Sequence, residues 1–293
     1  MKKLISFSLW GDDPFYTVGA VKNAKLALDI YPGWVCRYYI GPSVPESVVQ
    51  ELDSFPNTEL VMMNEDDGWN GMFWRFYPIV DSEVDVMISR DVDCRLSKRE
   101  KEAVDQWLST GKTIHVMRDH PLHSEPIMGG MWGCRTAELY NLICSTVYRD
   151  SDNYPDSVEK IVSDWLSHEK QKTRVGEYRC LSESQYDSHG IDQKFLRNCV
   201  YYAAVSTSSD RHLFVHDSFP LYNPWSHRLD FGTHPFGKDF WESNTGFPTP
   251  RENSDDFIGQ IYYADGTSNK ESSDYLEMRQ EFIYQDDKNE KSD

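Results

Sequence analysis

Over its first 117 residues the chain alternates short apolar runs with stretches of helical patterning, and this alternation narrows the fold more than any other feature. Lys3–Leu9 reads as a strand, and Val18–Asp29 carries Val21, Ala24, Leu26, Ala27 and Leu28 at helical spacing. Trp34–Ile40 is a second strand, closed by Gly41-Pro42. Pro45–Phe55 reads as a helix, Glu59–Met63 as a third strand, Met72–Val80 as a helix, and Val84–Ser89 as a fourth strand. Ser97 opens the next helix, with Glu100 completing a capping box, and Thr113–Met117 follows as a strand. Strands separated by helices predict an α/β fold: one central, mostly parallel sheet flanked by helices. Ligands of such sheets sit beyond the carboxyl ends of the strands.

The fourth strand runs into Asp91-Val92-Asp93, between Arg90 and Arg95. In extended backbone, alternate side chains share a face, so Asp91 and Asp93 are expected to point together while Val92 points inward. Two carboxylates at a strand exit suit one hard divalent cation. Such a cation can carry a diphosphate and stabilise it as a leaving group. Downstream, Met128–Gly133 holds Gly129, Gly130 and Gly133, which fit a tight turn or a floor under a bound sugar. Residues 150–190 are polar and acid-rich around one amphipathic helix (Val158, Ile161, Val162, Trp165, Leu166) and read as an excursion or lid over the core. Gly190 opens another helix through Tyr201, with Asp192 also suited to its N-cap. Leu213–Asp217 is a last short strand with His216 near its end.

The 293 residues carry 30 Lys and Arg against 48 Asp and Glu, a formal charge of −18. That excludes nucleic acid and anionic membranes as natural partners, and it opposes a phosphate-bearing substrate unless a metal or placed basic residues offset the repulsion. Six scattered cysteines form neither a Cys-x-x-Cys pair nor a disulfide framework, which points to a reducing compartment. The N-terminal apolar run stops at Gly11-Asp12-Asp13, too early for a signal peptide, and no run reaches the roughly 20 residues of a membrane span. The expected organisation is one cytoplasmic domain over 1–263, with a nucleotide-binding half (1–95) and an acceptor half (96–263). A polar acidic tail (264–293) follows, amphipathic at Tyr275–Tyr284 and disordered over about its last eight residues.

The run Phe73-Trp74-Arg75-Phe76-Tyr77-Pro78-Ile79, then a strand, then Asp91-Val92-Asp93 resembles glycosyltransferases of the GT-A (Rossmann-like) fold. The resemblance implies that Asp91 and Asp93 hold Mn²⁺ or Mg²⁺ against the diphosphate of a nucleotide sugar, and that Arg75 contacts the donor. Asp192-Gln193 is similar to the Asp-Gln of glycogenin-like retaining members, which puts Asp192 near the sugar's reacting carbon. His216 matches the late histidine that completes the metal site in many members, with His212, His227 and His234 as competitors. The exit of the first strand is where base and ribose dock in that fold, so Tyr16 or Phe15 would stack on uracil. Gly129 and Gly130 would underlie the sugar. The implied function is transfer of a hexose from a UDP-sugar, with UDP-glucose or UDP-galactose favoured, to an unknown glycan, lipid-linked sugar or protein. Retention is slightly favoured over inversion.

The chain departs from glycogenin-like enzymes in lacking their late His-x-x-Gly-x-x-Lys-Pro-Trp. Lys194, Arg211 and Arg228 are left as candidates to neutralise the leaving diphosphate. Two other readings compete. A haloacid-dehalogenase-type phosphatase also places Asp-x-Asp after a strand, but there a Gly-Thr follows and the pair ends the first strand; here Cys94-Arg95 follows the fourth. A catalytically silent carbohydrate-binding module would account for the nine Trp and seventeen Tyr residues.

Overall fold

The computed structural model describes residues 1–64, 68–120, 123, 125–151, 153–175, 190–206, 212–218 and 245–271. Seven strands form one sheet: β1 (Lys3–Leu9), β2 (Val35–Ile40), β3 (Thr58–Met62), β4 (Val86–Ser89), β5 (Ile114–Arg118), β6 (Trp132–Arg135) and β7 (Leu213–Asp217). Their order is β3-β2-β1-β4-β6-β5-β7. All neighbours pair in parallel except β6, which runs antiparallel to both β4 and β5. This is the mostly parallel, helix-flanked α/β architecture that the resemblance implies.

Alternation along the strands feeds two cores. Ile5, Phe7, Val86 and Ile88 face α1 (Pro14–Ile30), α2 (Glu46–Asp53) and α3 (Lys98–Thr110), packing with Ala24, Leu52 and Trp107. Leu4, Met87, Val116 and Trp132 face the other side. That side is covered by α4 (Thr136–Thr146), α5 (Val158–Val175), α6 (Ile191–Phe195), a π-helical turn (Leu196–Tyr201) and a 3-10 helix (Gly68–Val80). α7 (Tyr202–Ser206) continues directly from the π turn.

Four local outcomes bear on the site. The segment expected as an ordinary helix from Met72 is a longer 3-10 helix. Phe73, Phe76 and Ile79, three residues apart, all lie in one core, as the three-residue turn requires. α1 begins at Pro14, not Val18: the Asp13 carboxylate accepts the Phe15 N–H at 2.9 Å, and Pro14 takes the first helical position. The Gly-rich stretch contains the unexpected strand β6. Of the capping box, half forms. Ser97 Oγ accepts the Glu100 N–H at 3.1 Å, while the Glu100 carboxylate accepts from Arg90 (2.8 Å) and Tyr31 (2.7 Å) instead.

The described chain shows no break at the expected 263/264 boundary. Asn269 N–H donates to Ile261 O at 2.8 Å and Tyr263 N–H to Thr267 O at 2.9 Å, a hairpin that crosses it. The expected Tyr275–Tyr284 stretch and disordered terminus lie outside the described residues, as do His227, His234, Arg211, Arg228 and residues 176–189 of the expected lid.

Candidate active site

β4 stops at Ser89, so Asp91 and Asp93 sit in a turn beyond the strand and not in its extended run. The Cys94 N–H donates to Asp91 O at 3.4 Å to close that turn. Val92 is buried, as expected. The turn brings Asp91, Asp93 and Cys94 together, each offering one ligand atom within 4.8 Å of the others. Burial and the neighbouring Asp91 charge push the Asp93 carboxyl up to about 6. Burial and the same two acids push the Cys94 thiol well above its usual range. The two carboxylates are hard oxygen ligands of the kind that suit Mg²⁺ or Mn²⁺.

Arg75 joins this turn to the other side of the sheet. The 3-10 helix aims its guanidinium between two acids: Nη1 donates to Asp91 Oδ1, and Nη2 donates to Asp192 Oδ2 at 2.7 Å. Its backbone N–H is fixed by Ser8 Oγ on β1 at 3.1 Å. Asp192 is fully buried, and its Oδ1 has no hydrogen-bond partner among the described residues. Burial raises its pKa and Arg75 opposes the rise. Asp192 is not an N-cap. Gly190, at φ +82°, takes that place, which leaves the Asp192 side chain for Arg75.

The two glycines are needed where they stand. A Cβ at Gly129 would overlap Arg75 Nη2 and Asp192 Oδ2, and one at Gly130 would overlap the Asp91 carboxylate. Ser89 Oγ donates to Gly129 O at 2.8 Å and ties this backbone to the end of β4. Arg75, Asp91, Asp93, Gly129, Gly130 and Asp192 thus meet at the carboxyl edge of β4, from four separate segments. Tyr16 stands on the β1 side of this group. Partial burial raises its phenol, with Asp93, Asp13 and Asp91 adding to the shift. Gln193 is half-buried in α6 and makes no side-chain hydrogen bond to this group among the described residues.

His216 is placed elsewhere. It sits on β7, separated from β4 by β6 and β5. Its Nδ1 lies 2.7 Å from His115 Nε2 and its Nε2 2.9 Å from Gln106 Oε1. Gln106 Oε1 can only accept, so His216 carries its proton on Nε2 and accepts from His115 at Nδ1. Burial pushes the His216 pKa down to about 4 and holds His115 well below the usual histidine range. Both nitrogens of His216 are engaged, which removes it from the expected ligand set.

Sequence reading did not foresee Asp119. It is fully buried at the end of β5 and accepts from Arg99, Arg251, Ser218 Oγ and the Ile258 N–H (2.9 Å). It thereby ties the segment from 245 onward to the sheet.

No protein-family model and no curated protein matches the chain. Similar solved structures include mouse xyloside xylosyltransferase 1, at 11% identity over 84% of this chain and 94% of that one, with a TM-score of 0.42. The galactosyltransferase LgtC, solved with donor and acceptor sugar analogs, is 12% identical over 68% of this chain and 70% of its own, with a TM-score of 0.38. The Pyrobaculum calidifontis mannosyltransferase PcManGT, solved with GDP-Man and Mn²⁺, is 10% identical over 71% and 76%, with a TM-score of 0.38. For S. aureus TarS the match spans 48% of this chain and only 30% of the TarS chain, with a TM-score of 0.37.

Proposed function

We propose that the chain is a metal-dependent glycosyltransferase that takes a hexose from a UDP-sugar, with UDP-glucose or UDP-galactose foremost, and passes it to an acceptor. The observation that carries this reading is the meeting of Asp91, Asp93, Arg75 and Asp192 against two closely approached glycines at a strand's carboxyl edge. Asp91 and Asp93 are the residues to hold Mn²⁺ or Mg²⁺. When bound, that ion supplies charge neutralisation to the departing diphosphate. Arg75 adds fixed positive charge on the same side and holds Asp192 in one orientation, so neither has to reorganise during bond cleavage. Gly129 and Gly130 let the Arg75, Asp192 and Asp91 side chains pack directly on bare backbone. Asp192, with one carboxylate oxygen unpartnered, faces the reacting carbon. In a retaining reaction it stabilises the developing cation, with Gln193 beside it. In an inverting one it accepts the acceptor's proton.

Calorimetric titration of UDP tests the reading. UDP should bind in the presence of Mn²⁺ and fail to bind after EDTA, and an Asp91→Ala/Asp93→Ala variant should lose the metal-dependent part. Binding that ignores both metal and variant would remove the acid pair from the donor site. Phosphate release that depends on Asp91 without sugar transfer would instead favour the phosphatase.

A further inference from the structure

Beside the acid pair, on the side away from Asp192, three aromatic side chains meet. Phe15 and Tyr16 stand in the first turn of α1 with ring centroids 4.8 Å apart, edge to face. Tyr263 approaches Phe15 at 5.9 Å from a segment nearly 250 residues later in the chain. Tyr263 is 46% exposed and Tyr16 41% exposed. Neighbouring half-exposed rings offer flat, amphipathic area to a planar partner.

Tyr263 is held firmly on both flanks. On one, the Tyr262 N–H donates to the backbone carbonyl of Asp93 at 2.9 Å, and Arg95 lies 5.4 Å over the Tyr262 ring. On the other, Lys22 Nζ donates to Ala264 O at 3.2 Å. The hairpin that carries Tyr263 is thus hydrogen-bonded directly to one of the two acids.

The strand order assigns the directions around that pair. β4 lies between β1 and β6. The glycine floor precedes β6, and Asp192 lies over it; the three rings stand on the β1 side. A diphosphate at Asp91 and Asp93 has two ends, so a sugar on the Asp192 side sends the nucleoside toward the rings. We infer that Tyr263 forms one wall of the nucleoside pocket, so that the hairpin over residues 261–269 is part of the donor site. This rests on the donor reading above and names a residue outside the expected nucleotide-binding half. The base stacks against ring faces supplied from both ends of the chain, and the same hairpin links that contact to Asp93.

The test compares the full chain with Tyr263→Ala and Tyr263→Phe by calorimetry, using two probes with Mn²⁺ present: UDP and inorganic pyrophosphate. Loss of a stacking ring should weaken UDP about tenfold in Tyr263→Ala while pyrophosphate stays within about twofold; Tyr263→Phe, which keeps the ring, should match the parent for both. Unchanged UDP affinity in Tyr263→Ala overturns the inference. So does a parallel loss of UDP and pyrophosphate, which would make the hairpin a prop for Asp93 and not a wall for the base. If the unsubstituted chain binds pyrophosphate with Mn²⁺ but neither UDP nor GDP, the donor reading itself falls and the inference with it.

Discussion

Arg75→Met is the substitution whose consequences follow most directly from the geometry. It keeps a long apolar stem and removes the cation between Asp91 and Asp192. The two limbs are unequal. The Asp91 side chain is 39% exposed, so that limb is solvent-screened and contributes about 0–1 kcal/mol. The Asp192 side chain is 0% exposed and Arg75 only 5%, so the other limb is a buried pair. Removing one member of such a pair strands the other's charge, at a cost of about 3–5 kcal/mol. Among the described residues no other cation pairs with Asp192. Urea unfolding followed by tryptophan fluorescence should therefore show a loss of about 3–5 kcal/mol in Arg75→Met. Asp192→Asn alone keeps the Arg75–Asp91 limb and should cost about 1–3 kcal/mol, as a lost charged hydrogen bond does. The double variant removes the stranded charge and should be more stable than the sum of the single losses predicts, by at least about 1 kcal/mol. A loss below about 1 kcal/mol in Arg75→Met, or strict additivity, refutes the claim that Asp192 depends on Arg75.

Three further outcomes follow from single contacts. Gly130→Ala places a methyl group on the Asp91 carboxylate and should weaken Mn²⁺ binding about tenfold or more, read by electron paramagnetic resonance of the free ion; parent affinity would contradict the overlap. His216 is neutral in the fold down to about pH 4, but takes up a proton near 6.5 when unfolded. The unfolded chain therefore binds more protons between those values, and stability falls as pH drops through that window, by up to about 3 kcal/mol for this one group. His216→Gln should show a shallower slope there, and equal slopes would refute the assignment. Asp119→Ala removes the buried carboxylate that Arg99 and Arg251 share and should cost about 3–5 kcal/mol, with faster proteolysis between 245 and 258. Cleavage at the parent rate would mean that the segment is held by something else.

The sequence showed the acid pair and the strand–helix alternation because both are local. It hid whatever depends on a partner far along the chain. Arg75 and Asp192 are 117 residues apart, and nothing near either residue names the other. His216 looked like any strand-end ligand because its partners, His115 and Gln106, are 101 and 110 residues away. β6 escaped notice because a four-residue strand interrupted by Gly133 is too short for a period of two to show, although Trp132 and Cys134 do face the same core. Two features were local and still readable. Asp13-Pro14 is a cap followed by a first-position proline, and it puts Phe15 and Tyr16 into the first turn of α1. The three-residue spacing of Phe73, Phe76 and Ile79 marks a 3-10 turn and fixes the face on which Arg75 stands.

The acid balance of the chain and its need for a phosphate donor are reconciled by how the buried arginines are used. Arg37 is bound to Glu59 and Asp81, Arg90 to Glu100, Arg99 to Asp119, and Arg118 to Asp217. Arg75 lies between Asp91 and Asp192. Arg95, next to the acid pair, donates to the carbonyls of Val92 and Cys94 and lies over the Tyr262 ring. Redirecting Arg75, Arg90, Arg99 or Arg118 to a diphosphate would strand a buried acid (Asp192, Glu100, Asp119 or Asp217) at a cost like that worked out for Arg75. A cation gathered by Asp91 and Asp93 supplies positive charge and leaves the buried Arg75–Asp192, Arg90–Glu100, Arg99–Asp119 and Arg118–Asp217 pairs in place. It also offsets the burial and the Asp91 charge that together raise the Asp93 carboxyl. On this reasoning the metal is the cheaper source of counter-charge for a chain of net charge −18. Pyrophosphate should accordingly bind with Mn²⁺ and be rejected without it.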